Sequence, residues 1–384
     1  MSKFRVAVVG AGFSGLSHLR ALRQLPQVEV VAVVDKSPEH ARAAAEQLGG
    51  ATCFEDYHAM FRKAAPDAIH NCTPNEAHSE VTLAALDHAI HVLSEKPLGM
   101  NGQETRSLVD AAGRTGAVTA VCFNYRYYPL VREMRATLAR DPAAAPHLVH
   151  GSYLQDWLLL NTDWNWRLES ARGGRSRAVA DIGSHWIDLV QFVIGQEVVE
   201  VTAQLGRLHS ERLRPVHEEA TFSTGEQLER RSVAIDTEDF GCALLRFASG
   251  CLGTMTVSQV SPGRKNSLQF EIDTPGAAFT WNQEDPNQLW IGRRGEPNQV
   301  VLRDPSLLSE GHQFSRLPAG HPEGWLDTLV GLFTDFYAAV DARRTDTPYQ
   351  SSFASFNDGH HIELIMEAIL ESNELHRAVR VGTA

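Results

Sequence analysis

Short, mainly apolar runs alternate with amphipathic stretches over the first third of the chain. The runs are Phe4–Val9, Val28–Val34, Ala68–Cys72, Ile90–Leu93 and Val118–Cys122. A strand without polar positions is buried on both faces, which is typical of a parallel sheet covered by helices on either side. Parallel strands need crossover connections, and the amphipathic stretches supply them as helices. The pattern predicts a doubly wound α/β domain over residues 1–125.

The pattern changes after Asn124, where the strict alternation of strand and helix ends. Later segments alternate apolar with polar residues or are rich in β-branched and aromatic ones, namely Leu148–Gln155, Ala243–Phe247, Leu252–Val257, Ser267–Ile272 and Ala278–Trp281. These favour an antiparallel sheet with one covered face. The charged stretch His209–Arg231 is predicted to be a surface loop, and Trp325–Val340 and Gly359–Leu370 are predicted helices. We expect a second, α+β domain over residues 126–384 with a large, mostly antiparallel open sheet, and leave open whether its last helices pack back on the first domain.

Composition and charge exclude several classes of protein. The chain has 35 Lys and Arg against 47 Asp and Glu, a net charge of −12, so nucleic acid and membrane surfaces are not expected partners. No apolar stretch approaches the roughly 18 residues that span a bilayer, and the N-terminus lacks a signal-peptide pattern, so we expect a cytoplasmic protein. The five cysteines have no CxxC spacing and are predicted to be buried free thiols. No His or Cys cluster has metal-ligand spacing, so no metal is predicted.

A glycine-rich motif follows the first apolar run directly and opens a helical stretch. Its residues are Gly10, Gly12, Phe13, Ser14 and Gly15. Glycines there allow a tight turn and close approach to a pyrophosphate, which binds at the helix N-terminus. Asp35 ends the second run, twenty residues after Gly15, where a carboxylate accepts hydrogen bonds from ribose hydroxyls. The alternative is a glycine-rich turn without a ligand and an ordinary loop aspartate.

Polar residues also end two other predicted strands. They are Thr73, Pro74 and Asn75 after the third run, and Glu95, Lys96 and Pro97 after the fourth. Ligands of doubly wound folds bind at the carboxyl edge of the sheet, where these residues are expected. Lys96 precedes a proline, which holds its backbone extended at the strand tip. Without this context, Thr73 or Asn75 is a helix cap, and Glu95 and Lys96 are a solvated ion pair.

Asp181 and His185 lie four residues apart, so a helix that starts near Ile182 places both on one face. Asp181 is then either the N-cap of that helix or the group that orients His185 and stabilises its protonated form. The sequence leaves both roles open. The preceding arginines, Arg172, Arg175 and Arg177, are interpreted as part of a solvated loop rather than as an anion site.

Taken together, these motifs resemble one known family. The residues that carry the resemblance are Gly10-x-Gly12-x-x-Gly15, Thr73-Pro74-Asn75-x-x-His78, Glu95-Lys96-Pro97, Asn124-Tyr125-Arg126 and Asp181-x-x-x-His185. They are similar to the glucose–fructose oxidoreductase and inositol dehydrogenase family (Gfo/Idh/MocA), over essentially the whole chain. The resemblance implies an N-terminal Rossmann domain that binds NAD(P), a C-terminal domain for substrate binding and oligomerisation, and a cis bond before Pro97. The predicted cofactor-binding set is completed by Asp35, Lys36, Thr73, Pro74, Asn75, His78, Glu95, Lys96 and Asn124.

The resemblance also implies catalytic roles for Lys96, Asp181 and His185. Hydride transfer from a carbinol needs a base for the hydroxyl proton and a cation near the developing alkoxide. His185 is the predicted acid/base, because an imidazole titrates nearest neutral pH, and Asp181 orients it. Lys96 is predicted to bind the reacting oxygen and the cofactor ribose. NAD is expected over NADP because Asp35 repels a 2′-phosphate, although the neighbouring Lys36 leaves NADP open.

Two aromatic segments are candidates for substrate binding. Tyr153, Gln155 and Trp157 share one face of a predicted strand, and Trp166 and Arg167 follow in a loop. The segments resemble the levoglucosan and glycoside dehydrogenase branch of the family, in which an aromatic, amide-rich surface suits a pyranose ring. With His185 they form the predicted substrate-binding set. The alternative is that the tryptophans and the tyrosine are core or interface aromatics.

The predicted function is an NAD(H)-dependent oxidoreductase that acts on a secondary hydroxyl, or its ketone, of a sugar, anhydrosugar, glycoside or cyclic polyol. Two alternatives stay open: a catalytically idle regulator that binds dinucleotide or sugar, and an enzyme whose tightly held cofactor cycles between two sugars.

A homodimer or homotetramer is also expected, because one face of the second sheet is predicted to need a cover. The residues assigned to that face are Leu252, Thr254, Thr256, Phe270 and Ile272. The alternative is a monomer whose His209–Arg231 loop and C-terminal helices cover the same face.

Overall fold

The computed structural model describes residues 3–47, 50–140, 145–216 and 229–382. The chain divides into two compact units. The first unit is Met1–Tyr127 together with Trp325–Glu363, and the second is Tyr128–Gly324 together with Leu364–Thr383. Among the described helices, none has the length and apolar content needed to span a bilayer.

A six-stranded parallel sheet forms the core of the first unit. Its strands are β1 Phe4–Val9, β2 Val28–Val34, β3 Thr52–Phe54, β4 Ala68–Asn71, β5 His91–Ser94 and β6 Thr119–Val121. The helices between them are α1 Phe13–Leu22, α2 Pro38–Glu46, α3 Tyr57–Ala64, α4 Asn75–Asp87 and α5 Gly102–Thr115. The strand order is β3-β2-β1-β4-β5-β6, so it reverses between β1 and β4, where ligands of such folds bind. The predicted doubly wound fold is confirmed.

The second unit contains a nine-stranded mixed sheet. The first elements of this unit along the chain are α6 Pro129–Arg140, β7 Leu148–Leu154, α7 Ser170–Gly173 and α8 Ser184–Ile194. The later strands are β8 Val198–Gly206, β9 Glu211–Pro215, β10 Arg230–Ala234, β11 Phe240–Phe247, β12 Leu252–Ser258, β13 Ser267–Asp273, β14 Ala278–Asn282, β15 Gln288–Gly292 and β16 Gln299–Leu302. The order is β16-β15-β14-β13-β7-β12-β11-β8-β17, where β17 is the short strand Val379–Arg380 near the end of the chain. Strands β7 and β12 are its one parallel pair among the described strands. The predicted mostly antiparallel sheet is confirmed.

Two long helices and a short strand end the chain, namely α9 Trp325–Thr345, α10 Phe356–Leu375 and β17 Val379–Arg380. Helix α9 belongs to the first unit, where it packs beside α1. Helix α10 gives its residues up to Glu363 to the first unit and the rest to the second. Strand β17 then pairs with β8 in the second sheet.

The prediction of a loop over His209–Arg231 is wrong at both ends of the segment. Strands β9 and β10 form an antiparallel pair there, and residues 217–228 lie outside the described residues. The many charged residues suggested a solvated loop, but at least one of them is in the protein interior. Arg212 is fully buried and pairs with Asp239 at 2.7 Å. A run of charged residues therefore did not exclude strands.

The predicted exposed face of the second sheet is partly wrong. Leu252, Thr254 and Thr256 are exposed, but Phe270 and Ile272 are buried. The reason is the pairing register: Gly151 of β7 lies opposite both Met255 and Phe270, which puts Phe270 on the covered face with Met255. The neighbouring Glu271, which is half-buried, lies on the opposite face instead.

The prediction of buried free thiols holds for three cysteines, Cys72, Cys122 and Cys251. It is wrong for Cys53 and Cys242, which are free but exposed. Cys242 lies on β11 at a position that alternation turns outward.

Candidate active site

The glycine-rich turn between β1 and α1 has the geometry of a dinucleotide-binding loop. Gly10 has a φ of +94°, and a side chain there would collide with the carbonyl oxygen of Cys72. Gly15 lies against the carbonyl oxygen of Gly10 with no room for a Cβ. Gly12 differs, because no described atom lies within 4 Å of where its Cβ would be. Gly12 also caps α1, so the first turn of the helix faces open space without a capping side chain.

Asp35 at the end of β2 is tied to this loop. One carboxylate oxygen accepts from the backbone N–H of Ala11 at 2.7 Å, and the other accepts from the N–H of Ser37 at 2.8 Å. Each oxygen keeps acceptor capacity for a further donor. Lys36 beside it is exposed. Asp35 therefore fixes the loop and also presents a carboxylate where the prediction places a ribose.

Two side chains from the glycine-rich helix and α9 stack beside the loop. Phe13 is 53% exposed, and its ring centroid lies 6.1 Å from that of Trp325 at an interplanar angle of 28°. Ser14 is the second residue of α1. Trp325 did not enter the sequence prediction, because it lies far along the chain.

The loop after β4 is held by His78. Its two ring nitrogens lie 2.6 Å from the carbonyl oxygen of Pro97 and 2.8 Å from that of Thr73. Burial lowers the pKa of His78, although both hydrogen bonds act to raise it. Pro74 caps α4, so neither Thr73 nor Asn75 is a helix cap. His78 therefore links the segments that follow β4 and β5.

Lys96 lies at the tip of β5, half-buried, and the bond to Pro97 is cis as the resemblance implies. Its backbone N–H donates to Oε2 of Glu95 at 3.2 Å. Asn124 after β6 is buried, and its amide donates to the hydroxyl of Thr328 at 2.6 Å. The predicted cofactor residues of the first unit thus surround the carboxyl ends of β1, β2, β4, β5 and β6.

A buried chain of polar groups, which the sequence did not reveal, supports Glu95. Its Oε1 lies 3.1 Å from Nε2 of His18, whose Nδ1 lies 2.9 Å from Nδ1 of His70. Nε2 of His70 lies 2.9 Å from the hydroxyl of Tyr337. Burial, and secondarily His18, lowers the pKa of His70, while burial raises that of Tyr337, so both are neutral. His18, Glu95 and Cys122 also lie close enough to hold a metal, so the absence of a metal stays a prediction.

Asp181 and His185 lie on one continuous helical segment of the second unit. It begins earlier than predicted, with the π-helical turn Val179–Gly183, and continues as α8. Asp181 is therefore inside the helix, which rules out the N-cap alternative. His185, one turn later, is 8% exposed. Single π turns inside helices are frequent at functional sites.

Two side chains of the second unit hold the Asp181 carboxylate. Nε of Arg167 lies 3.3 Å from its Oδ1, and Nε2 of Gln259 donates to its Oδ2 at 2.8 Å. The guanidinium of Arg167 also lies over the ring of Trp166, 4.5 Å from its centroid. Two predicted substrate residues and a predicted catalytic residue are thus linked directly.

The interpretation of Arg177 as part of a solvated loop is wrong. Arg177 is fully buried and pairs with Asp239. Burial alone would raise the pKa of Asp239, but Arg177 and Arg212 outweigh it and hold that pKa below its usual value. Asp239 is therefore a buried carboxylate.

Tyr153, Gln155 and Trp157 form one hydrogen-bonded group. Asn266 Oδ1 accepts from the Tyr153 hydroxyl at 2.6 Å and from the Gln155 amide at 2.8 Å. Trp157 Nε1 donates to Oε1 of Gln155 at 2.8 Å. Tyr153 is 2% exposed and so belongs to the core, whereas Trp157 is half-buried against the apolar cluster around Leu158. The amide of Gln155 joins the two aromatics.

Comparison with known families decides the identity. Residues 4–123 match an oxidoreductase family with an NAD-binding Rossmann fold, GFO_IDH_MocA, and residues 131–274 match the GFO/IDH/MocA C-terminal domain. The chain belongs to the GFO/IDH/MocA oxidoreductase family. The predicted family membership is confirmed, and so is the predicted NAD cofactor.

Several GFO/IDH/MocA relatives are dehydrogenases of carbohydrates. The levoglucosan dehydrogenase of Pseudarthrobacter phenanthrenivorans is 27% identical, covering 97% of this chain and 96% of the relative. The D-glucoside 3-dehydrogenase of Escherichia coli is 30% identical over 52% of this chain and 56% of that protein. A solved levoglucosan dehydrogenase in complex with NADH and levoglucosan superposes with a TM-score of 0.87 at 25% identity, covering 100% of both chains. An oxidoreductase domain protein from Kribbella flavida has the same TM-score, identity and coverage.

Within this GFO/IDH/MocA chain, sequence reasoning missed the supporting residues: Gln259, Asn266, His18, His70 and Tyr337. None of them belongs to a local motif. His70 alone among them carried a signal, as a polar residue inside a predicted buried strand.

Proposed function

We propose that the protein is an NAD(H)-dependent dehydrogenase that transfers a hydride between nicotinamide and a secondary hydroxyl, or its ketone, of a sugar, anhydrosugar, glycoside or cyclic polyol. The observation that carries the proposal is the setting of Asp181: a carboxylate held by Arg167 and Gln259, one helical turn before His185. Such a pair suits proton transfer at a carbinol oxygen. A protein that only binds sugar or dinucleotide has no need of it.

The first unit has the residues that hold the cofactor. The glycine-rich turn leaves open space at Gly12 and at the N-terminus of α1, which fits a pyrophosphate. Asp35 offers carboxylate oxygens to the ribose and repels a 2′-phosphate, so NAD is preferred over NADP. When bound, the nicotinamide accepts or supplies the hydride.

The chain's own residues handle the proton. His185 takes the hydroxyl proton during oxidation and returns it during reduction. Asp181 orients the imidazole and stabilises its protonated form. Lys96 donates a hydrogen bond to the oxygen on which negative charge develops.

The carbohydrate assignment draws on side-chain chemistry and on the relatives. Arg167 stacks on Trp166, and Trp157 is hydrogen-bonded to Gln155. Each pair combines a flat apolar face with hydrogen-bonding groups, as a pyranose ring requires. The levoglucosan and D-glucoside dehydrogenases among the relatives act on such rings by name.

We also propose a homo-oligomer, a dimer or tetramer, built on the exposed face of the second sheet. Leu244 on β11 is 59% exposed, and the neighbouring strands place Thr202 and Thr254 on either side of it. A second copy covers such a face in a closed symmetric assembly. A cytoplasmic location is proposed because all five cysteines are free thiols.

The test is a substrate panel. The purified protein is mixed with NAD or NADP and with cyclitols, free sugars, anhydrosugars and glycosides, and reduced cofactor is followed by absorbance. We expect turnover with at least one pyranose-type substrate and a higher kcat/KM with NAD. The spectrum of the protein before NAD is added separates a freely exchanging cofactor from a tightly held one. If no member of the panel is oxidised and NADH does not bind, the proposal fails.

A further inference from the structure

The inference concerns Gln259, which follows β12 and lies between Asp181 and a buried ion cluster. We propose that Gln259 is a positioning residue. The ion cluster fixes which end of the Gln259 amide faces Asp181, and the amide NH₂ holds the Asp181 carboxylate in one orientation as a hydrogen-bond acceptor. The inference rests on the proposed function only for its catalytic consequence. The link between the two side chains stands on geometry alone.

The buried ion cluster consists of Arg177, Arg212 and Asp239. Arg177 and Arg212 both donate to Oδ1 of Asp239, and all three side chains are fully buried. Oδ2 of Asp239 accepts from the backbone N–H of Leu208 at 2.7 Å. With the carboxylate saturated in this way, the positions of both guanidinium groups are fixed.

The ion cluster determines which way the Gln259 amide points. Nη1 of Arg177 lies 2.7 Å from Oε1 of Gln259, and an arginine has donors only, so the amide oxygen must face it. The amide NH₂ is then turned to Asp181, where it donates to Oδ2 at 2.8 Å. The backbone of Gln259 is also anchored, since its N–H donates to Asp239 O at 3.0 Å and its carbonyl accepts from Leu158 at 3.2 Å. A flipped amide would set donor against donor.

An oriented donor of this kind favours the ionised form of Asp181. Among the described charged or titratable groups of the second unit, Arg167 lies 3.3 Å from Asp181 and His185 follows one turn later on the same helix. Behind Gln259 lie the ion cluster and Glu238, whose Oε1 accepts from the N–H groups of Arg177 and Val179, both at 2.9 Å. Arg167 contacts one Asp181 oxygen and Gln259 donates to the other, so removing the Gln259 amide takes away the donor that orients Oδ2.

The deciding variant is Gln259→Glu, which keeps the size and the acceptor for Arg177 but turns a carboxylate oxygen towards Asp181. Two facing carboxylates repel each other while both are ionised. We expect the thermal unfolding midpoint to fall by several degrees at neutral pH, and the deficit relative to the wild type to shrink as the pH approaches about 4, where carboxyl groups take up protons. A purely structural packing defect would persist at low pH.

The matched control is Gln283→Glu, which places the same new carboxylate at another buried glutamine of the second unit. Gln283 donates to the hydroxyl of Tyr128 at 3.1 Å and not to a carboxylate. The double variant Asp181→Asn with Gln259→Glu restores a donor and an acceptor in the reverse order, so it regains a large part of the lost midpoint at neutral pH. Asp181→Asn gives no such gain in the Gln283→Glu background.

A second readout tests the catalytic consequence. In Gln259→Glu the acid limb of the pH profile of kcat/KM moves to higher pH, because added negative charge favours protonation of Asp181 and His185, and NADH affinity stays at the wild-type value. A profile that superposes on the wild type, together with an unfolding deficit that does not depend on pH, overturns the proposal. If the panel finds no dehydrogenase activity, the unfolding data still decide the link. Should Gln259→Glu not fold, Gln259→Met is used: it removes the donor without adding charge, and the acid limb moves in the same direction by less.

Discussion

Single side chains set the chemistry through the partners that hold them. Asp181 is bound by two side chains from other segments, and Glu95 is bound by His18. In both places a predicted motif residue depends on polar groups that have no motif of their own. The motif residues could be predicted because each follows an apolar run or lies at helical spacing. Their partners could not, because Gln259 is 78 residues from Asp181 along the chain and only the packing of the π turn against β12 brings them together.

The first prediction concerns His185. We expect His185→Ala to lower turnover by roughly a hundredfold to ten-thousandfold, because a positioned acid/base is lost. NADH affinity, measured by fluorescence titration, stays unchanged, since the dinucleotide loop is in the first unit. The control is His150→Ala, which removes a half-buried histidine of β7 outside the predicted site. Near-normal turnover in His185→Ala contradicts the assignment.

The second prediction concerns stability against pH. Burial lowers the pKa of His70, so the folded chain leaves it neutral while the unfolded chain protonates it near pH 6.5. Its contribution to stability is therefore full above that pH and is lost as the pH falls below it, at about 1.4 kcal/mol per pH unit. We expect His70→Asn to flatten the acid slope of the free energy of unfolding by about one proton. Denaturant titrations between neutral pH and about pH 5 measure it; an unchanged slope contradicts it.

The bounds of a strand or helix could be predicted where a single property of the sequence determined them. Strands β1 and β2 have the predicted bounds, because a mainly apolar run with a single charged residue near its start has few alternatives. Strand β3 was missed because it has three residues, two of them exposed. The ribbon of β9 and β10 was missed because its charges resemble a loop, and the π turn before α8 was missed because apolar periodicity does not reveal an extra residue in a turn.

The third prediction belongs to the glycine-rich turn. Gly12→Ala is expected to leave the unfolding midpoint unchanged, since no described atom lies within 4 Å of the new methyl group. NADH affinity should fall at least about tenfold, because the methyl group occupies the space that the pyrophosphate needs. Gly113→Ala is the matched control: this glycine lies in α5 and is equally open. Equal NADH affinities for the two variants would contradict the dinucleotide site.

At the scale of the whole molecule, the proposed oligomer is tested on its sheet face. Leu244→Asp places a charge in the middle of that face and is expected to give a sedimentation mass near one 42.3 kDa chain, whereas the wild type gives a multiple of it. Leu302→Asp is the control, because Leu302 is 61% exposed but lies on β16, an edge strand six positions from β11 in the sheet. A wild-type mass of one chain rules the oligomer out.

The composition of the first unit has a consequence for the order in which the protein is made. Its sheet is encoded before residue 128, but α9, which packs beside α1 and stacks Tyr337 on Phe4 of β1 with centroids 5.4 Å apart, is encoded after residue 324. A ribosome must synthesise the intervening 128–324 before that cover exists. Part of the apolar surface of the N-terminal sheet therefore stays uncovered during that synthesis. Chaperones protect nascent chains that expose such surface. The last helices, although they come from the far end of the chain, complete the domain that begins it.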